Sequence, residues 1–272
     1  MHRAGDGDAL HLVNVAQAAE GEEFQAPGPG DFEFPPLFGD GTFFTKPMLI
    51  IVLGTLAIAG LFYLASRRAA LVPAKAQFIG ESVYGFVRNG IVADSIGREG
   101  RKFVPLLTTM FVFIAVMNLA GIIPVLQLPA TSKIAIPLFL ALISWGVFNY
   151  VGIRRHGFIG YFKNMMFPPG LPKLIYVLLA PLELFSTVII RPITLTLRLT
   201  LNMFAGHLVL LLTILGGEYL IEKGGVLAVA SIVPFAFSII LTFFEAFVQV
   251  LQAYVFVLLS ALYIAGALAD EH

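Results

Sequence analysis

The chain contains no cysteine among its 272 residues. That excludes a disulfide framework, a thiolate nucleophile and any cysteine-based metal site. Charge is scarce too: 12% of residues are Asp, Glu, Lys or Arg, and the formal net charge at pH 7 is zero. Such a balance offers no basic face to a nucleic acid, so no nucleic-acid partner is expected. The five histidines, at 2, 11, 156, 207 and 272, are scattered and form no HExxH-type pair. Neither a metal, a cofactor nor a catalytic centre is therefore expected, and the chain reads as a non-catalytic protein. No apolar core follows Arg3, so no cleaved signal is expected either. Inverted or parallel repeats, the mark of many secondary transporters, are absent from the pattern.

Apolar residues are what the chain has in quantity. They make up 58% of it, with 25 Phe and a mean hydropathy of +0.89. A soluble domain of this size could not bury that much apolar surface, so lipid must be its main solvent. The fold class is an all-α polytopic membrane protein. Residues 1–46 form a polar tail rich in Pro, Gly and acidic residues, and 47–272 form a single membrane domain.

The first span, "PMLIIVLGTLAIAGLFYLAS", starts at Pro47 and stops at Arg67–Arg68. Its roughly 20 residues match a hydrocarbon core of about 30 Å. From there to Lys102 the chain is basic and amphipathic, the pattern of a helix lying at the membrane interface. A second span, carrying Asn118, runs over about 103–124, and a third over about 134–153. Two long apolar stretches remain, about 174–215 and 226–268, separated by "GGEYLIEKGG". At 1.5 Å per residue each would be roughly 60 Å long, about twice the hydrocarbon thickness. Neither contains a turn cluster that would let it double back. Two long, steeply tilted helices, with Pro181, Pro192 and Pro234 as possible bends, therefore fit better than four upright ones, giving about five spans.

Basic residues set the orientation. Segments 67–102 and 154–173 hold eleven Lys and Arg, against Arg3, Lys46, Lys133 and Lys223 on the other side. The positive-inside rule places the basic segments and the C-terminus in the cytoplasm and the N-terminus outside.

Within the fourth span, Thr187, Arg191, Thr194, Arg198, Asn202 and Ala205 fall on one narrow helical face, with Gly206 beside it and His207 on roughly the opposite side from Arg198. On the fifth, Ser238, Glu245, Gln249, Gln252 and Tyr263 share a face. Charged groups at bilayer depth cost several kcal/mol and so mark function. Milder readings exist for some: Arg191 could snorkel to the interface, Asn202 and the glutamines could be interhelical hydrogen-bond glue, and His207 could be a packing residue. Glu183 and Glu245 are harder to dismiss. Arg198 is hardest, because a guanidinium cannot shed its proton and this one lies near mid-membrane. It needs a carboxylate, from this chain or from a partner.

"RPITLTLRLTLNMFAGHLVL" resembles the signature of subunit a of bacterial F-type ATP synthases, in which Leu-Arg-Leu is followed by Asn-Met and Ala-Gly. "PLLTTMFVFIAVMNLAGIIP", "GFIGYFK", "PLELFSTVIIRP", "FEAFVQVLQAYVFVLLSALYIAGAL" and the acidic C-terminus ending in His extend the resemblance over most of the chain. It implies a stator subunit of the proton channel in the FO sector, in a bacterial cell membrane. The implied partners are the c-subunit ring, the b-type peripheral-stalk subunits and the rest of the complex, with two long helices wrapping the ring. It implies that Arg198 is the essential arginine facing the ring carboxylates. Asn202, His207, Glu245, Gln249 and Gln252 are then candidates for an outer half-channel, and Glu183 and Ser186 for an inner one; Arg191 is a further candidate. Many members carry Glu where this chain has His207, and His where it has Glu245, so that pair is exchanged here. The rival reading is a stand-alone ion-coupled transporter.

Overall fold

The computed structural model describes residues 46–67, 75–123, 131, 133–166 and 173–269. Most of the N-terminal tail and the last three residues lie outside them, as does most of the loop after the second span. All the regular structure among the described residues is helical, as the composition requires: in lipid every backbone N–H and C=O must be satisfied within its own helix.

The first span is α1, Lys46–Arg67. The basic amphipathic stretch becomes α2, Lys75–Val87, then a π turn at Arg88–Val92, a short turn of α-helix and a 3₁₀ segment at Gly97–Phe103. The second and third spans are α3, Val104–Leu119, and α4, Ala135–His156. Pro105 opens α3 near its first position, where its missing N–H costs nothing. Gly157, at φ 74°, ends α4 in a conformation that L side chains avoid. Short α5, Phe158–Met166, follows.

The fourth span is an unbroken run: α6, Lys173–Phe185, a π turn at Ser186–Ile190, and α7, Arg191–Glu222. Pro192 explains the site of the wide turn. It has no N–H to donate, and its ring crowds the carbonyl four residues back, Val188, which sits in that turn. The helix continues through most of "GGEYLIEKGG" and turns only at Gly224 and Gly225, both at positive φ (69° and 60°). α8, Gly225–Ala230, leads into α9, Ile232–Leu268. With 32 and 37 residues, α7 and α9 are about 48 and 56 Å long at 1.5 Å per residue. Among the described residues, five helices are long and apolar enough to cross a membrane.

The described residues divide into two compact units. The smaller, 208–239, holds the Gly224–Gly225 turn and its two flanking arms, where the ring of Phe235 lies against Gly217. The larger holds everything else. Its core is assembled from Ile91, Leu107, Ile114, Phe148, Leu195, Leu199, Phe256 and Ile264, all almost fully buried. Ala253, Ser260 and Ala261 on α9 are also buried there; small residues let helix backbones approach closely in lipid. Ser144 of α4 donates to Ser260 Oγ at 2.8 Å.

Candidate functional site

The polar stripe on α7 is present, with one departure. Arg191, Thr194, Arg198, Asn202 and Ala205 keep their common face, but Thr187 is buried, and its carbonyl accepts the Trp145 Nε1–H at 3.1 Å. The cause is the π turn, whose extra residue rotates everything before it by about 100° relative to a uniform helix. The same rotation aligns another pair. Eight uniform steps would set Glu183 about 80° away from Arg191; with the extra residue the two fall within about 20°. Arg191 Nη2 meets Glu183 Oε1 at 3.3 Å, and the guanidinium lies 5.1 Å from the ring centroid of Tyr263 and 5.9 Å from that of Phe148.

Glu183 and Arg191 line a cleft of about 400 Å³ together with Phe148, His156, Tyr161 and Tyr263. Ser186, half-buried, opens the π turn one helical turn after Glu183. Tyr161, on α5, packs its ring against Gly152 and donates its hydroxyl to Asn149 Oδ1 at 3.1 Å. Burial raises the Tyr161 phenol above its ordinary range, and the positive charge of Arg191 acts in the opposite direction.

Arg198 is exposed on the outer face of α7, among the exposed Leu197, Leu201 and Ala205. It has no ion pair among the described residues. The two guanidiniums of one helix thus differ: among the described residues Arg191 has a carboxylate partner and Arg198 has none.

Toward the C-terminal side of Arg198 the polar groups gather between α7, α9 and α3. Asn202 Nδ2 donates to Gln252 Oε1 at 2.5 Å. Glu245, Gln249 and Gln252 are all buried, and Gln249 Nε2 donates to Glu245 Oε1 at 3.1 Å. Gly206 is what lets the carboxyl in: a Cβ there would lie 3.2 Å from Glu245 Oε1. His207 is buried beside it in sequence. Gln249 Oε1 and Gln252 Nε2 have no protein hydrogen-bond partner among the described residues. A dry site would leave these two polar atoms of one buried amide row unsatisfied at a cost of about 1–3 kcal/mol each.

These features are those of a helical membrane protein with an exposed arginine on one of its long helices. A family model described as ATP synthase A chain matches residues 48–265. The chain belongs to the ATP synthase subunit a family. The subunit a of Nocardioides sp. is 45% identical to it over 272 positions, covering 96% of this chain and 99% of the relative. That of Streptomyces lividans is 44% identical, covering 93% and 91%, and that of Parafrankia sp. 46%, covering 84% and 77%.

The polar network is wider than the sequence motif. Asn118 is almost fully buried in α3; its Oδ1 accepts from Thr131 Oγ1 at 2.7 Å and its Nδ2 donates to the Gln249 carbonyl at 3.3 Å. An asparagine inside an apolar span was the available signal, but its partners lie 13 and 131 residues away. No sequence pattern joined His156 and Tyr161 to Glu183, because helix periodicity does not reach from α4 or α5 to α6.

Proposed function

We propose that this chain is the stator subunit of the proton channel in a rotary ATP synthase, and that Arg198 meets in turn the carboxylates of a ring of small hairpin subunits. The observation that carries the proposal is this exposed guanidinium, which has no ion pair among the described residues. It cannot deprotonate, and an isolated charge at bilayer depth costs at least about 2.5–3.5 kcal/mol. A second subunit that brings acids past it removes that cost.

The mechanism follows from the same penalty. A ring carboxyl travels through lipid only in its neutral form. Opposite Arg198 the ionised form is stabilised by the fixed cation, so proton exchange is confined to this interface. Protons enter from outside along Asn202, His207, Glu245, Gln249 and Gln252, neutralise a ring carboxylate and ride with it. They leave through the cleft that holds Glu183, Ser186 and Arg191. Along the helix Ser186 and His207 lie on either side of Arg198, about 18 and 14 Å away at 1.5 Å per residue, so the two half-channels are offset. The permanent cation between them repels a proton that would leak directly, and flow therefore requires rotation. Arg191, paired to Glu183, keeps the exit cleft polar.

On this reading the complex also contains b-type peripheral-stalk subunits and sits in the bacterial cell membrane, with the N-terminus outside and the C-terminus in the cytoplasm. Residues 75–103 lie along the cytoplasmic interface. Helices of about 48 and 56 Å in a core of about 30 Å tilt steeply, as wrapping a ring requires.

The test is ATP-driven proton pumping in inverted membrane vesicles carrying Arg198→Ala, with assembly checked by native gel electrophoresis. The assembled complex is expected to pump at background level. Pumping at the wild-type rate would overturn the role given to Arg198.

A further inference from the structure

A second cationic cleft shares no lining residue with that of Glu183 and Arg191. The 3₁₀ segment before α3 brings Lys102 next to the C-terminal turn of α4, where Arg154 and Arg155 stand, and Leu268 of α9 closes the side of a cleft of about 680 Å³. The three cations are not equivalent. Arg155 is held by Glu99 at 2.6 Å. Arg154 Nη1 has a neutral partner, the Tyr150 hydroxyl at 3.0 Å, and Lys102 Nζ rests 5.1 Å from the Phe103 ring centroid. Neither Lys102 nor Arg154 has a carboxylate among the described residues. Among the described residues, three cations against one carboxylate leave the cleft positive.

Its walls change character with depth. The cations stand at the helix ends, while Leu106, Val147 and Val151 line the cleft one to two turns, about 5–10 Å, further along α3 and α4. Charge at the mouth and aliphatic surface behind it is the order of groups in a phospholipid. A phosphodiester is a good acceptor for a guanidinium and an ammonium together, and basic pockets between membrane helices hold anionic headgroups. A zwitterionic headgroup would add a further cation to a place that already has too many.

We propose that the cleft bounded by Lys102, Arg154, Arg155 and Leu268 is a binding site for an anionic glycerophospholipid. Its phosphodiester lies between Lys102 and Arg154, and an acyl chain lies along Leu106, Val147 and Val151. Arg155, fixed by Glu99, sets the rim. The occupant ties the start of α3 to the end of α4 and the end of α9.

The complex containing this chain, reconstituted in nanodiscs, tests the proposal with phosphatidylglycerol carrying a photoactivatable acyl chain. Peptides containing 102–106 and 147–154 are expected to be labelled about thirtyfold more than with the matching phosphatidylcholine, as about 1 kcal/mol for each of Lys102 and Arg154 near a charged lipid surface implies. Millimolar inorganic phosphate is expected to leave the labelling unchanged. Lys102→Gln with Arg154→Gln is expected to lower it to the phosphatidylcholine level. Equal labelling by the two lipids in the wild type, displacement by phosphate alone, or crosslinking that places a helix of another subunit in the cleft would each overturn the assignment. The headgroup comparison needs no variant, so it decides the question even if the substituted protein fails to assemble.

Discussion

Gly206 is the most exacting contact in the proposed entry path, and its substitution separates space from charge. A Cβ at this position would stand 3.2 Å from Glu245 Oε1, 3.3 Å from its Cδ and 3.4 Å from its Cγ. Alanine therefore asks the glutamate to retreat by a few tenths of an ångström, away from a carboxyl position that Gln249 Nε2 holds at 3.1 Å. Extra carbons in a packed site cost about 1–3 kcal/mol, and 1.4 kcal/mol is tenfold in a rate or an equilibrium. Gly206→Ala belongs at the low end, with a fall in pumping of about threefold to fivefold. Gly206→Val, whose two methyl groups reach further, belongs at the high end, with a loss of more than about tenfold. Gly216, on the same helix, has no atom within 4 Å of an added Cβ, so Gly216→Ala serves as the control and keeps wild-type activity. The decisive variant is Gly206→Val combined with Glu245→Asp, because aspartate withdraws the carboxyl by one bond of about 1.5 Å. The assay is the initial rate of ATP-driven acidification of inverted vesicles, normalised to the assembled complex. A valine variant as active as the glycine control, or a double variant slower than the valine single, would refute the claim that Gly206 exists to admit the Glu245 carboxyl.

The bond between Asn202 and Gln252 predicts coupling: a double-alanine cycle in pumping rate should show an interaction of about 0.5–3 kcal/mol, and strict additivity would break the pair. Tyr161 predicts a pH effect. Its phenol is raised above 10.0 chiefly by burial, so the folded state holds that proton more tightly than the unfolded chain. The resulting stabilisation is complete below about pH 10 and is lost as pH climbs from there toward the raised value. Thermal unfolding of Tyr161→Phe in detergent should therefore decline less between pH 9 and 11 than that of the wild type; parallel declines would show that Tyr161 does not contribute to the slope.

Much of the site could be read from one helix at a time. Arg198, Asn202 and Ala205 share a face because 3.6 residues make a turn, and that needs no neighbour. The span pattern is equally local: apolar runs without turn chemistry continue as helix, and "GGEYLIE" does so too, with Gly224 and Gly225 supplying the reversal. Thr187 was misplaced on the stripe for a local reason that has a non-local expression. A π turn costs the helix one register step, and nothing in 3.6-residue counting marks where it falls.

What the amino-acid order determined alone is therefore the membrane class, the five long helices and the cationic stripe, since each depends on composition or on contacts within a few residues. Only the tertiary structure decided which cation finds no carboxylate among the described residues. Glu183 reaches Arg191 because the π turn brings them into line, whereas the carboxyl of Glu245 lies against Gly206 and bonds Gln249. The path from Thr131 through Asn118 to Gln249 joins three helical regions separated by up to 131 residues, and the cleft of Glu183 and Tyr161 joins α4, α5 and α6. Such meetings depend on how packed helices are turned about their axes, which a one-dimensional period does not specify.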